Sequence, residues 1–174
     1  MDVLQRLEPV SEGYATLPVA QAFTWGESSA ELGDGEWYLV AFRSVRRAEA
    51  DEERLTHYDE LAHQEAAAAP GFVHYFKGPR AADGSCLSFC LWQTRADAKA
   101  AAGRPLHVQA VRLIDEMYAS YTLEFLRVAR TDGGPLAFEP YDRPGESHAH
   151  VAGPPVHPVE SPAPFLPTNP APAF

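Results

Sequence analysis

Cysteine and basic charge are both scarce in this chain, and no long apolar run occurs. Among 174 residues there are two cysteines, too few for a disulfide framework. Cys86 and Cys90 lie four apart in SCLSFCLW, roughly 13 Å on a strand rising ~3.3 Å per residue, which is beyond disulfide reach. That spacing also fails as a zinc half-site, which wants two residues between ligands on a tight turn. Fourteen basic residues against 24 acidic ones give a net charge of -10. Nucleic acid and anionic membrane surfaces are thereby excluded as partners, because both need a cationic surplus that releases counterions. The cluster Arg43, Arg46 and Arg47 is too short to reverse this. Without a run of about 18 apolar residues nothing is expected to span a bilayer. The opening MDVLQRLEPVSEG has no basic region leading into an apolar one, so the expectation is a cytoplasmic protein. GxGxxG, Walker, GxSxG and HExxH patterns are all missing, which leaves dinucleotide, nucleotide, serine-hydrolase and zinc-protease readings without support.

What is there is a globular composition, 45% hydrophobic and 22% charged, enough for one domain with a proper core. Eleven of the 16 prolines follow Thr131, and proline removes backbone donors. Residues 131–174 therefore read as a proline-rich C-terminal arm or tail. Its histidines His148, His150 and His157 lack the fixed geometry of a metal site, and no metal is expected. Residues 1–35 form an N-terminal lead-in in which Phe23 and Trp25 precede a Gly-Asp-Gly turn. The domain proper spans 36–130.

Within it, EWYLVAFRSV (36–45) is aromatic and β-branched, as strands are. The segment AEADEERLTHYDELAHQEAAAA places Leu55, Tyr58, Ala62 and Ala66 at helical spacing with acids in the first turns, and Pro70-Gly71 stops it. FVHYFKG and SCLSFCLW read as a hairpin. Thr94 caps a short helix RADAKAAA, Gly103-Arg104-Pro105 breaks it, and a longer helix is expected from about His107 to Ala119. YTLEFLRVAR (121–130) is the last strand. The order β-α-β-β-α-β is a ferredoxin-like α+β unit with an antiparallel four-stranded sheet.

Two helices on one face of such a sheet leave the other face in need of cover. Alternation splits Tyr38, Val40, Phe42, Leu87, Phe89 and Leu91 from Trp37, Leu39, Ala41, Arg43, Cys86, Ser88, Cys90 and Trp92. In the remaining strands Val73, Tyr75, Leu123 and Phe125 fall to the first set, and Phe72, His74, Phe76, Thr122, Glu124, Leu126 and Val128 to the second. The second set, apolar but carrying Arg43, His74, Ser88 and Glu124, has the make-up of a ligand cavity and is assigned to the open side.

The strand order, the strand SFCLW ending in Trp92, the alanine-rich helix after it and the continuation through His107 resemble the dimeric α/β-barrel superfamily, in particular its antibiotic biosynthesis monooxygenase-like branch. The resemblance covers about residues 36–130. It implies a homodimer whose two open sheets close a barrel around a cavity, with Trp92 as a wall aromatic. It also implies binding of an aromatic or polycyclic small molecule, with cofactor-independent monooxygenase-type oxidation as the leading activity. A second reading, from the haem-degrading relatives, is haem binding or degradation through His107. A third is a non-catalytic dimer that binds a ligand or partner through the C-terminal arm.

For the leading reading the candidate catalytic residues are His74 as base, Glu124 orienting it and Arg43 holding a developing oxyanion. A carboxylate such as Glu124 in mid-strand needs a partner or a purpose. The candidate pocket is lined by Trp37, Phe72, Phe76, Ser88, Cys90, Trp92, His107 and Tyr118. His57 and His63, beside glutamates on the acidic helix, read as solvated.

Overall fold

The computed structural model describes residues 4–141; most of the expected arm, with its three histidines, lies outside them. Five strands form one antiparallel sheet in the order β2-β3-β1-β4-β5. They are β1 (Gly35–Arg46), β2 (Phe72–Phe76), β3 (Ser85–Trp92), β4 (Tyr118–Arg130) and β5 (Ala137–Pro140). The first four have the ferredoxin-like arrangement expected. The fifth was not foreseen: β5 pairs with β4 through Val128↔Phe138 and Leu126↔Pro140. Its proline is tolerated because an edge strand can lack a donor. The sheet therefore extends past the boundary expected at residue 130.

The principal helix is α3 (Glu52–Ala67), following single turns α1 (Val19–Ala22) and α2 (Trp25–Ser28) in the lead-in. Asp51 caps α3 by accepting from the Arg54 N–H at 2.9 Å, and Thr94 caps α4 (Arg95–Ala102) by accepting from the Asp97 N–H at 3.2 Å. The long helix expected up to Ala119 is instead α5 (Pro105–Val111) and α6 (Ile114–Met117). Neither is long enough to persist alone. The aromatic stretch from Tyr118 onward joins β1, with Tyr121 opposite Ser44, so sheet pairing overrides helical spacing there.

Register decides which residues share a face. Tyr38 is opposite Trp92, Val40 opposite Cys90 and Phe42 opposite Ser88. Directly opposed residues point the same way, so Cys86, Ser88, Cys90 and Trp92 lie with Tyr38, Val40 and Phe42 on the helix-covered face. Leu87, Phe89 and Leu91 lie with Leu39, Ala41 and Arg43 on the other. This reverses the expected placing of β3. Both of its faces are apolar, so alternation alone could not set its phase against β1. A bulge between Phe72 and His74 likewise turns Phe72 onto Trp92, with ring centroids 5.4 Å apart.

The face expected to await a second copy is covered by residues 4–32 of the same chain. Phe23 meets Tyr14, Trp25, Phe76 and Phe89 at centroid distances of 4.8–5.7 Å. Beneath them Leu39, Ala41, Leu87 and Phe89 are fully buried. Each buried aromatic or aliphatic side chain contributes roughly 1.5–3 kcal/mol. The lead-in thus lies over the middle of a sheet face. No helix among the described residues is long and apolar enough to cross a membrane.

Candidate functional site

Between α3 and the sheet lies a cavity of about 80 Å³. Three alternate positions of β1, Phe42, Ser44 and Arg46, line it with Cys86 and Ser88 of β3, Tyr118 and Tyr121 of β4, and Tyr75 and Lys77 of β2 and its extension. From above it is closed by Leu55, Thr56 and Asp59 of α3. One helical turn separates Leu55 from Asp59, so both point at the sheet. An acid thus stands on the sheet-facing stripe.

Asp59 has two partners. Its Oδ1 accepts a hydrogen bond from the Tyr75 hydroxyl at 2.7 Å, and its Oδ2 pairs with Lys77 Nζ at 2.7 Å. Lys77 and Asp59 are both partly exposed, 44% and 34%, whereas burial pushes the Tyr75 phenol far above its ordinary value, reinforced by the Asp59 carboxylate. Tyr75 therefore links an enclosed interior to a carboxylate at the rim. Burial likewise raises Tyr121 and Tyr118, with Arg46 pulling Tyr118 back. All three phenols are neutral donors near pH 7. Phe42 stacks on Tyr121 at 6.4 Å, and Tyr118 meets Tyr121 edge-on at 5.3 Å. The lining is thus a ring-faced wall with hydroxyl groups set in it, the usual make-up of a small-molecule site.

The residues singled out from the sequence are dispersed. Ser88 and Tyr118 line this cavity; the Ser88 hydroxyl accepts from the Gly78 N–H at 3.0 Å. Phe72, Cys90 and Trp92 belong to a neighbouring cluster with Tyr38 under α4. Trp37 and Phe76 pack on the opposite face, against the lead-in. The expected trio of His74, Glu124 and Arg43 is not assembled. Two strands, β3 and β1, separate β2 from β4, which puts His74 roughly 14 Å from Glu124 at about 4.8 Å per strand. His74 instead lies beside Phe89, centroids 6.1 Å apart. Arg43 does pair with Glu124, but it also donates to the carbonyls of Ala15 and Leu17. It holds the lead-in down, with all three of its donor groups engaged by protein acceptors.

His107 sits on α5, away from the cavity. Its backbone N–H and that of Leu106 both donate to Glu65 Oε2 at 3.0 Å. Burial lowers the imidazole below its ordinary value, against the raising effect of Glu65. A second, more open cavity of about 280 Å³ lies by Thr16, Arg43, Ser85 and Thr122. His107 lines neither cavity, and neither volume admits a haem, so the residues present do not fit that cofactor. Among the described residues no group of three or more His, Cys, Asp or Glu could hold a metal ion.

Sequence reasoning missed Asp59, Tyr75, Lys77 and Tyr121 as cavity residues. Asp59 was legible in principle, as an acid one turn after Leu55 on an otherwise apolar stripe. The tyrosines carried no such signal, because a strand phenol packs as readily as it reacts.

Comparison with known proteins gives a family and several structural likenesses. A family model described as PB2B2.08-like matches residues 1–139. The UPF0643 protein PB2B2.08 of Schizosaccharomyces pombe is 26% identical over 138 residues, covering 70% of this chain and 63% of that protein. This chain thus spans less than two thirds of the relative's length. Among solved structures, Rv0793 from Mycobacterium tuberculosis has a TM-score of 0.46 at 18% identity, covering 55% of this chain and 96% of its own. SnoaB, a cofactor-independent oxygenase from Streptomyces nogalater, has 0.42 at 16%, covering 56% and 95%. A dimeric ferredoxin-like protein from Thermobifida fusca has 0.43 at 15%, covering 55% and 92%. A putative antibiotic biosynthesis monooxygenase from Nitrosomonas europaea, of the kind the sequence resembles, has 0.45 at 14%, covering 53% of this chain and 88% of its own. At TM-scores below 0.5 the chemistry of the site has to be read from this chain's own side chains.

Proposed function

The chain belongs to the PB2B2.08-like family, and for this member we propose that the cavity beneath α3 binds a small hydroxylated ring compound and removes its hydroxyl proton. The observation that carries this reading is the hydrogen-bonded series from Tyr75 to Asp59 to Lys77. A ligand hydroxyl donates to the Tyr75 oxygen while Tyr75 passes its own proton to Asp59. Moving both protons together avoids a free tyrosinate, which burial disfavours. Asp59 then releases the proton at the rim, where Lys77 and solvent meet it. At about 80 Å³ the space is well below the roughly 300–1,000 Å³ of clefts that hold drug-sized ligands. Of the aromatic or polycyclic ligands expected from the sequence, a single aromatic ring suits it better than a polycycle.

Monooxygenase-type oxidation is the activity this relay serves. A hydroxyarene anion reprotonated on carbon carries a ring CH2 group. Dioxygen converts that group to a carbonyl: one oxygen atom stays in the product and the other leaves as water with the two hydrogens, so no outside reductant is required. The cavity is complete within one chain. A homodimer closed sheet against sheet would have to displace residues 4–32, and light scattering of the intact protein measures whether pairs form by another surface.

The test is oxygen uptake with phenol, catechol and resorcinol, alongside native mass spectrometry for binding. Oxygen consumption matched by quinone formation is expected, lost in Tyr75→Phe with binding retained. Turnover unchanged by Tyr75→Phe would overturn the relay, and absence of binding by every compound would overturn the site.

A further inference from the structure

The α3 cavity is locally cationic in a chain of net charge -10. Arg46 and Lys77 line it. Glu52, at the start of α3, is shared between Arg46 and Arg80, and Asp59 is taken by Lys77. Three cations facing two carboxylates leave about one positive charge at this end of the cavity, where low-dielectric walls strengthen its field.

One donor there is unspent. Arg46 Nη1 bonds Glu52, but Arg46 Nε is buried and has no hydrogen-bond partner. A guanidinium N–H taken out of water without an acceptor is destabilising, and native structures nearly always supply one. The planar guanidinium matches a carboxylate better than any other side chain does. Tyr118, whose phenol interacts with Arg46, adds a second neutral donor beside it. Phe42 and Tyr121, stacked at 6.4 Å, offer ring faces in the same cavity.

We infer that the ligand is a monocyclic aromatic carboxylate whose carboxylate is received by Arg46 Nε and Tyr118, with its hydroxyl left to Tyr75. This rests on the reading of the cavity as the ligand site, and it names the class of ligand.

The experiment is calorimetric titration of the full chain with 4-hydroxybenzoate and its neutral counterpart 4-hydroxybenzamide. The acid should bind at least tenfold more tightly, and the margin should shrink as sodium chloride is raised. Arg46→Gln should abolish the margin, Arg46→Lys should keep part of it, and Arg47→Gln, at an exposed neighbouring position, should leave it intact. Circular dichroism of each variant reports retention of the fold. Equal binding of acid and amide, a margin that survives Arg46→Gln, or no binding of either compound at millimolar concentration would overturn the inference. Thr56→Phe separates it from the cavity reading, since Thr56 lines the cavity from the exposed side of α3. If that variant blocks both compounds while acid and amide bind the parent equally, the cavity stands and only the carboxylate assignment fails. If it blocks neither, the cavity itself is not the site.

Discussion

Arg43 on β1 forms an ion pair with Glu124 on β4, and its remaining donors reach the carbonyls of Ala15 and Leu17. One side chain thus ties two strands to the segment that covers them. The residues at the pair's ends are 81 apart in sequence, so its formation depends on the finished sheet. The arrangement explains why a carboxylate is tolerated in mid-strand: Glu124 has a partner, and the partner has a structural task.

Arg43→Ala should lower stability by about 2 kcal/mol, the range of hydrogen bonds to charged groups, discounted because both side chains are partly exposed, 23% and 32%. Glu124→Gln, which keeps an acceptor, should cost less. Urea unfolding measures both. An Arg43→Ala variant as stable as the parent would show that the lead-in is held by its aromatic contacts alone.

Acid sensitivity should trace in part to His107. Burial holds its imidazole neutral in the fold, below the ordinary value of 6.5, so the unfolded chain binds the extra proton first. Stability from this group is complete above pH 6.5 and is lost as pH falls through that value towards the lower folded one. His107→Gln should therefore flatten the decline in stability between about pH 7 and pH 5. An unchanged slope in the variant would place the acid sensitivity elsewhere.

Neither thiol should react readily in the native protein. Cys86 is buried, and Cys90, although only partly covered, is pushed up to about 12 by burial and then by the Asp59 carboxylate, so almost none is thiolate at pH 8. Labelling with a thiol-exchange reagent should find no fast-reacting cysteine in buffer and both in urea. Rapid labelling of Cys90 in the native state would contradict the packing of α3 and α4 over β3.

Local patterns carried much of the fold. The apolar strands at 36–45 and 85–92, the acid-led helix ended by Pro70-Gly71, and the Thr94 cap were all legible, because short-range periodicity and capping chemistry decide them. The long helix expected through Ala119 failed where local spacing competed with pairing, since Tyr118 to Tyr121 gain more from β1 than from one further helical turn. The expected catalytic trio failed for a related reason. Alternation tells which residues of one strand share a side, but it does not tell which strands are neighbours, and His74 and Glu124 have two strands between them.

By itself the sequence determined the class of this protein: acidic, without a disulfide framework, and built on a β-α-β-β-α-β unit, all consequences of composition and of periods two and 3.6. Only the tertiary structure decided which side of β3 faces the helices, that residues 4–32 occupy the open face, and that Asp59, Tyr75 and Arg46 meet in one cavity. Those outcomes depend on register and on contacts between residues far apart in the chain. Both faces of the sheet are apolar enough to be buried, so no local pattern distinguishes them until the long-range partners are in place.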